Sequence, residues 1–378
     1  MILEKKNADR EAFCGKIVYY FRFINSFFLN MQYQYSRQEL LDDFKDWQEK
    51  LRKYQIPNTR KALVQIANSF GSFIALWVAQ FFLLDYSIWF VVAIALLNGF
   101  LLGRIFIIQH DCGHTSFVKP RKMNALIGTI CSSFTIIPYH YWARSHNFHH
   151  AHNGQLEYSD VGDIECLTTA EYSTLPWYRK LSYRIYRNPL YLFTVGGFVY
   201  VAIYNRFALL RDGYFKGFYR NVRWSNIFFV LLYISLTYLL GWKFLWVQGI
   251  NLAFFGSYAL WFFYIQHQYE YIYKSTKEQW DYVLSAIWGS TYYDLPAIGH
   301  WLTGNIGYHH IHHLCPIIPN YHLKACHYEN QMFVKHARYL SFFESLKTIN
   351  ANLWDEKLQK MVSFSEYSRN KYRAKLPS

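Results

Sequence analysis

The chain has 378 residues, of which 52% are hydrophobic, 21% aromatic and 17% charged, and its formal net charge is +14. The aromatic content is far above that of an ordinary soluble domain and is typical of proteins that anchor in a membrane interface. A mean hydropathy of −0.06 excludes a chain that lies mostly within lipid, and the lack of a nucleic-acid-binding motif favours lipid head groups over nucleic acid as partners of the positive charge.

Residues 1–60 are predicted to form a cytoplasmic prelude. Within it, 37–53 has the pattern of a charged helix, which the sequence Ile56-Pro57-Asn58 ends. The segment 17–29 is aromatic but short and contains Arg22, which favours an interfacial helix over a membrane span.

Four apolar segments are predicted to span a membrane, because each approaches the ~20 residues that a transmembrane helix needs. Only a few residues around Asp85 separate the first two segments, and a tight turn at Gly241 separates the last two, so each pair forms an antiparallel hairpin. Two shorter stretches, 124–138 and 190–204, contain polar or glycine residues and are predicted to be re-entrant or in-plane helices. The predicted spans cover about residues 66–84, 87–109, 224–240 and 245–265.

Three histidine clusters accompany these segments. Their members are three or four residues apart, a spacing that places them on one face of a helix, about 5–6 Å apart at Cβ. The clusters hold more imidazoles than one tetrahedral zinc ion needs, which favours two ions of higher coordination, although imidazole alone does not choose among iron, copper, zinc and nickel. They are His110-Asp-Cys-Gly-His114, His146-Asn-Phe-His149-His150 and His309-His-Ile-His312-His313.

The clusters can meet only if they lie on the same side of the membrane. If 124–138 crossed the bilayer, the second cluster would lie opposite the first. With four spans, all three clusters lie on one face together with His267, which follows the fourth span and is expected to be a further ligand. Of the Lys and Arg residues in loops, only Lys243 then falls outside, which agrees with the positive-inside rule and predicts a cytoplasmic site.

Other polar residues near the clusters are candidates for supporting roles. Five carboxylates could accept a hydrogen bond from a ligand imidazole, although those between 157 and 165 are equally consistent with a solvated acidic loop. Asn305 could approach a metal directly or through water, or could cap a helix. Five further histidines break the helical spacing and are expected to have hydrogen-bonding or surface roles. The carboxylates are Asp111, Glu157, Asp160, Asp163 and Glu270, and the histidines are His140, His152, His300, His310 and His322.

The clusters and their flanks resemble the membrane-bound fatty acid desaturase family, and within it the acyl-lipid Δ12 (ω-6) and ω-3 group. The resemblance spans roughly residues 55–330, and the additional His310 inside the third cluster departs from the family pattern. It is carried by His110-Asp-Cys-Gly-His114-Thr-Ser-Phe, by His146-Asn-Phe-His-His150-Ala-His-Asn-Gly, by Gln266-His267 and by Gly307-Tyr-His-His-Ile-His-His-Leu-Cys-Pro.

The resemblance implies an all-α membrane protein in which four transmembrane helices are capped by a cytoplasmic helical domain. This membrane domain is expected over 61–335, between the prelude and a C-terminal tail, 336–378. The cap would hold two iron ions that use O2 to insert a cis double bond into a lipid acyl chain. Nine histidines are implied as iron ligands: His110, His114, His146, His149, His150, His267, His309, His312 and His313.

Electrons would come from a separate ferredoxin or cytochrome b5, because the chain has no four-cysteine cluster motif and no haem-attachment motif. A bacterial cytoplasmic membrane is the expected location. One alternative is another histidine-box oxygenase, such as a hydroxylase, a ketolase or an alkane monooxygenase. A metal transporter or storage protein is a more distant alternative, since transporters place their ligands within the spans, and these spans are poor in His, Asp and Glu. The sequence predicts neither the double-bond position nor the oligomeric state.

Overall fold

The computed structural model describes residues 35–158, 162–210 and 213–373. The chain divides into two compact units, Met1–Asp46 and Trp47–Ser378. The described part of the first unit contains helix α1 (Arg37–Asp43), where the Ser36 side chain caps the helix by accepting a hydrogen bond from the Glu39 backbone N–H. The predicted interfacial helix at 17–29 lies outside the described residues.

The second unit is predominantly helical, as the sequence predicted. It also contains four short strands that an all-α protein would lack. The helices are α2 (Trp47–Leu51), α3 (Thr59–Leu83), α4 (Ile88–Gly113), α5 (Arg121–Thr135), α6 (Tyr139–His152), α7 (Thr169–Thr174), α8 (Trp177–Tyr186), α9 (Pro189–Tyr191), α10 (Gly197–Ala202), α11 (Tyr219–Leu240), α12 (Trp242–His267), α13 (Tyr282–Trp288), α14 (Ala297–Leu302), α15 (His309–Leu314), α16 (Asn320–Glu329), α17 (Gln331–His336), α18 (Phe342–Thr348) and α19 (Phe364–Arg373). The strands are β1 (Thr291–Tyr293), β2 (Arg338–Leu340), β3 (Leu353–Asp355) and β4 (Lys360–Val362).

Three of these helices, α3, α4 and α11, are long and apolar enough to cross a membrane. They contain the first three predicted spans. Each helix extends beyond the predicted span at one end. For example, α3 begins directly after its N-cap Asn58 and therefore includes Arg60 and Lys61. The fourth predicted span falls within α12, which is 26 residues long. Polar residues such as Gln248 and Asn251 interrupt its apolar sequence, so length and composition do not by themselves identify it as a span.

A buried polar network holds α12 against the first two long helices. Gln80 in α3 donates to Asn251 in α12 over 3.2 Å, and its Oε1 accepts hydrogen bonds from Asn251 and from Asn98 in α4, over 2.8 and 3.0 Å. All three side chains are fully buried. Side-chain amides paired in this way satisfy one another where no water is available, and they fix the relative positions of helices that pack within a bilayer.

The two shorter apolar stretches are helical, as predicted. Residues 124–138 correspond to α5, which ends at Ile136 in a left-handed conformation with φ of 51°. Residues 190–204 correspond to α9, a π-helical turn (Leu192–Gly196) and α10. This segment lies directly on α12, because Gly197 and Gly256 meet backbone to backbone and a Cβ on either would collide with the other.

The four strands form two small sheets near the C-terminus. Strands β1 and β2 are parallel and pair Thr291 with Arg338, across the predicted domain boundary at residue 335. Strands β3 and β4 form an antiparallel pair in which Leu353 faces Val362. These strands have only three residues each, which is too short for a recognisable alternation of apolar and polar side chains, so the sequence pattern did not reveal them.

Candidate metal centre

Four helices bring the predicted ligand histidines together at one end of the long helices. The first cluster, His110 to His114, lies at the last turn of α4, which ends at Gly113. A Cβ at Gly113 would come within 3.1 Å of the Ala143 Cβ. Glycine therefore lets α6 approach the end of α4 closely. The ligands come from α4 and its C-cap (His110, His114), from α6 (His146, His149, His150), from the last residue of α12 (His267) and from α15 (His309, His312, His313).

The imidazoles divide into two groups, and within each the ring nitrogens lie within 4.8 Å of one another. The larger group contains five histidines and the smaller contains three. His309 joins the smaller group, since its Nε2 lies 2.9 Å from that of His267 and 3.1 Å from that of His313. The groups are His110, His114, His146, His150 and His312 on one side, and His149, His267 and His313 on the other.

The distances between ring nitrogens fit shared metal ions. Nε2 of His146 lies 3.1 Å from Nε2 of His150, and Nε2 of His149 lies 3.3 Å from Nε2 of His267. An imidazole nitrogen binds a metal at about 2.0–2.1 Å, so two such ligands at right angles are about 3 Å apart. A metal ion bound by these imidazoles would use the lone pairs that face one another across the cluster.

Several ring nitrogens in the cluster are buried without a hydrogen-bond partner among the described residues. They include Nε2 of His114 and both nitrogens of His312. Buried polar atoms are nearly always satisfied in native structures, and those left over indicate a missing ion or water. Burial lowers the pKa of the histidines contributed by α6 and α15, and the neighbouring imidazoles lower these pKa values further. The rings are therefore neutral near pH 7, the form in which they bind metals.

Three ligands are oriented by hydrogen bonds from their second ring nitrogen. Nδ1 of His110 lies 3.0 Å from a carboxylate oxygen of Asp111, whose other oxygen accepts hydrogen bonds from the backbone and side chain of Asn320, over 2.7 and 2.8 Å. Nδ1 of His114 lies 2.9 Å from Oδ1 of Asn147. Nδ1 of His267 lies 3.0 Å from the carbonyl oxygen of Gly289. Such contacts fix the ring orientation and the tautomer of a metal ligand.

Sequence reasoning identified Asp111 as a supporting group but missed Asn147 and Asn320. Asn147 directly follows His146, but the sequence pattern pointed to carboxylates and to Asn305 as the supporting groups. Asn320 lies seven residues after His313, in the segment that follows the third cluster, and carried no recognisable signal. Its carbonyl oxygen accepts a hydrogen bond from Asn305 over 3.2 Å, so Asn305 supports the partner of Asp111.

Of the remaining candidate carboxylates, Glu157 and Glu270 face away from the cluster, whereas Asp163 lies beside His149. Glu157 accepts a hydrogen bond from the Lys277 backbone over 3.2 Å, and Glu270 forms an ion pair with Lys360 over 3.0 Å. The carboxylate of Asp163 accepts from the adjacent backbone N–H of Ile164 and lines a small pocket beside His149. Asp160 lies outside the described residues.

The other flanking histidines have hydrogen-bonding and packing contacts of their own. His310 is buried, and its Nε2 lies 3.3 Å from Nδ1 of His327. His152 and His322 contact backbone carbonyl oxygens, those of Phe148 and Tyr54, both over 2.9 Å. His300 stacks on the ring of Tyr308.

A large, mainly apolar cavity of about 550 Å³ opens onto the histidine cluster. His110, His146 and His309 form part of its wall, which otherwise comes mainly from α4, α6, α12 and the segments 162–165, 186–210 and 302–306. Phe100 and Tyr258 line its far end and stack with their ring centroids 3.8 Å apart. Phe100 precedes His110 by ten residues, so the cavity extends about 15 Å along α4 beyond the cluster. Its shape suits an extended apolar chain.

Comparisons with known proteins agree with this description. The family model for fatty acid desaturases matches residues 87–344. A fatty acid desaturase of Bacillus subtilis is 39% identical over 309 residues, covering 82% of this chain and 87% of that protein. An sn-1 oleoyl-lipid 12-desaturase of Picosynechococcus is 28% identical, covering 71% of this chain and 74% of its own. An sn-1 acyl-lipid omega-3 desaturase (ferredoxin) of Nostoc is 25% identical, covering 60% and 64%.

Proposed function

Because the chain belongs to the fatty acid desaturase family, we propose that it inserts a cis double bond into the acyl chain of a membrane lipid. The reaction would be O2-dependent and of the Δ12 (ω-6) or ω-3 type, as the names of the Picosynechococcus and Nostoc relatives suggest. The observation that carries the proposal is that three of the nine buried, clustered histidines, His110, His146 and His309, line a mainly apolar cavity that extends about 15 Å along α4. A chain in this cavity passes directly by the cluster.

The nine histidines are proposed to hold two iron ions, one in the group of five and one in the group of four. The iron would supply the O2 activation and the oxidising power that an unactivated C–H bond requires. Asp111, Asn147 and the carbonyl oxygen of Gly289 fix the ring orientations of His110, His114 and His267. The aromatic wall of the cavity excludes water and aligns two adjacent methylenes with the centre.

A four-span topology is the simplest that serves this site. In it α12 is the fourth span, and the network of Gln80, Asn98 and Asn251 holds it in the bundle. All three clusters then lie on the cytoplasmic face, and residues 61–335 form the membrane domain with its cap, flanked by 1–60 and 336–378. We place this domain in a bacterial cytoplasmic membrane, in keeping with the Bacillus relative.

The two electrons that the reaction consumes are proposed to come from a separate protein. A ferredoxin is favoured, because the Nostoc relative is named for this donor, and cytochrome b5 is the alternative. The net charge of +14 would attract an acidic carrier and speed its association.

Lipid analysis tests the proposed function. The chain is expressed in a host with a simple fatty acid profile, and acyl chains are compared by mass spectrometry after derivatisation of double bonds. A new cis double bond, absent with a His149→Ala control, is the expected result and gives its position. A hydroxylated or ketonic product would contradict desaturation and identify the chain as a related histidine-box oxygenase. Unchanged lipids despite bound iron and a co-expressed ferredoxin would contradict the proposal.

The cavity predicts how the double-bond position can be moved. Gly103 lines the cavity between the cluster and its far end, and a Cβ there would meet nothing closer than the Phe255 ring at 3.8 Å. We expect Gly103→Leu to shorten the space beyond the histidines, so that fewer carbons lie on the methyl side and the double bond moves toward the methyl end. Mass spectrometry of derivatised products measures the position. Gly249→Leu, where a side chain meets open space, is the matched control. An unchanged position in the Gly103 variant would show that the chain does not use this part of the cavity.

A further inference from the structure

Helix α8 carries its apolar stripe on the outside of the protein. Trp177, Tyr178, Leu181 and Ile185 are exposed by 76%, 56%, 51% and 51%. At 100° per residue these positions fall within an arc of about 100°, opposite the buried Tyr183. An ordinary surface helix buries such a stripe against the core. Here the helix packs through its other face, so the stripe is available to something outside the described chain.

Basic side chains border the stripe, and acidic ones are absent from it. The segment 177–210 contains five Arg or Lys residues and no Asp or Glu. Lys180 donates to the carbonyl oxygen of Ser173 over 2.8 Å, and Arg184 donates to the Tyr172 hydroxyl over 2.7 Å. These bonds hold both side chains beside the stripe while leaving further N–H donors on each. Arg179 is exposed. An apolar stripe flanked by cations complements a bilayer surface that contains anionic lipid.

The end of α8 is tied to the end of a long helix. Arg187, the C-cap of α8, is buried and donates to Oε1 of Gln268 over 3.1 Å, and Gln268 is the residue that follows α12. The same guanidinium donates to the carbonyl oxygens of Glu165 and Ala351, over 3.0 and 2.5 Å. This arrangement places α8 at the level where α12 leaves its apolar surroundings, which is the level of the lipid head groups.

The helix also lies at the cavity wall. Its last residue, Tyr186, lines the cavity, and so do Tyr191 and Leu192 in the segment that follows. Leu190, between them, is 77% exposed and points outward. The wall is therefore one helical segment thick here, with lipid-compatible side chains on its outer face and the cavity on its inner face.

We propose that α8 lies in the head-group layer of the bilayer, where its stripe inserts among the lipids and Lys180 and Arg184 bind the phosphates of anionic phospholipids. This surface concentrates anionic lipids beside the acyl cavity. That consequence rests on the proposed desaturation, and the placement of α8 rests on the proposed topology in which α12 is a span.

Site-directed spin labelling tests the placement. The full chain carrying Cys14→Ser and Leu181→Cys is labelled and placed in nanodiscs of phosphatidylcholine with a minority of phosphatidylglycerol. Since the other cysteines are buried, the Cys14→Ser chain alone gives the background. We expect the label to be accessible to O2 and protected from a water-soluble nickel chelate. Leu358→Cys, at an exposed position between β3 and β4, is the matched control and is expected to be open to the chelate.

Two outcomes would overturn the placement. One is a label at position 181 that is as open to the chelate as the label at 358. The other is a label shielded from both reagents, which would mean that protein covers the stripe. Neither readout requires bound iron or turnover, so a chain that makes no double bond would contradict the proposed function and leave this inference standing.

Photo-crosslinking tests the lipid preference. Photoreactive phosphatidylglycerol and phosphatidylcholine are activated in the same nanodiscs, and adducts on the peptide that contains α8 are quantified by mass spectrometry. We expect phosphatidylglycerol to predominate and Lys180→Gln with Arg184→Gln to lower its yield by about fivefold for each charge removed. Arg369→Gln with Lys371→Gln in α19 is the matched control and is expected to leave it unchanged. Equal labelling by both lipids, or no effect of the α8 substitutions, would contradict the role of these charges.

Discussion

Replacing His149 with alanine is expected to remove one of the two proposed metal ions and to abolish the proposed desaturation while the chain still folds. His149 belongs with His267 and His313, and the five histidines of the other group do not need it to converge. A metal in the larger group should therefore be retained. We expect about one iron per chain instead of about two, and activity lower by at least roughly 100-fold, since disturbing even an outer contact of a metal ligand costs 10–100-fold.

Iron content by elemental mass spectrometry and lipid analysis measure these effects, and size-exclusion chromatography reports folding. The matched control is His152→Ala on the same helix. His152 contacts the carbonyl oxygen of Phe148 and is absent from both groups of ring nitrogens, so its loss should leave iron content and activity near normal. Full activity in the His149 variant would contradict the assignment of the second histidine cluster as metal ligands.

The second prediction concerns Asp111, which orients His110. In Asp111→Asn the side chain keeps its size but loses the negative charge that faces Nδ1 of His110 at 3.0 Å. The substitution also disturbs the two hydrogen bonds that Asn320 donates to this carboxylate. We expect metal affinity to fall by about 10–100-fold. Competition with a chelator, followed by elemental analysis of the protein, measures the change.

The control for Asp111 is a carboxylate that the sequence made equally plausible. Glu157 follows the second cluster but accepts a hydrogen bond from the Lys277 backbone, away from the ligands. Glu157→Gln is expected to retain the metal affinity of the unmodified chain. If both variants bound metal equally well, the contact between Asp111 and His110 would have no part in holding the ion.

Much of the architecture was accessible from the sequence. The family resemblance is confirmed, and three of the predicted spans lie within helices that can cross a membrane. Long apolar segments can be recognised in a sequence because a helix that crosses a bilayer needs an unbroken run of apolar side chains. The strands could not be recognised, because each has only three residues and because β1 pairs with β2 although Thr291 and Arg338 lie far apart in the chain.

The sequence by itself determined which imidazoles are present, how they are spaced along helices and which family chemistry they resemble. Helical periodicity makes these properties local, so no fold is needed to infer them. The tertiary structure alone decided that His309 joins the group of His267 and His313, that Asp111 and not Glu157 faces a ligand, and that the cavity reaches the cluster. These contacts join residues from different helices, and their geometry depends on how the helix ends pack together.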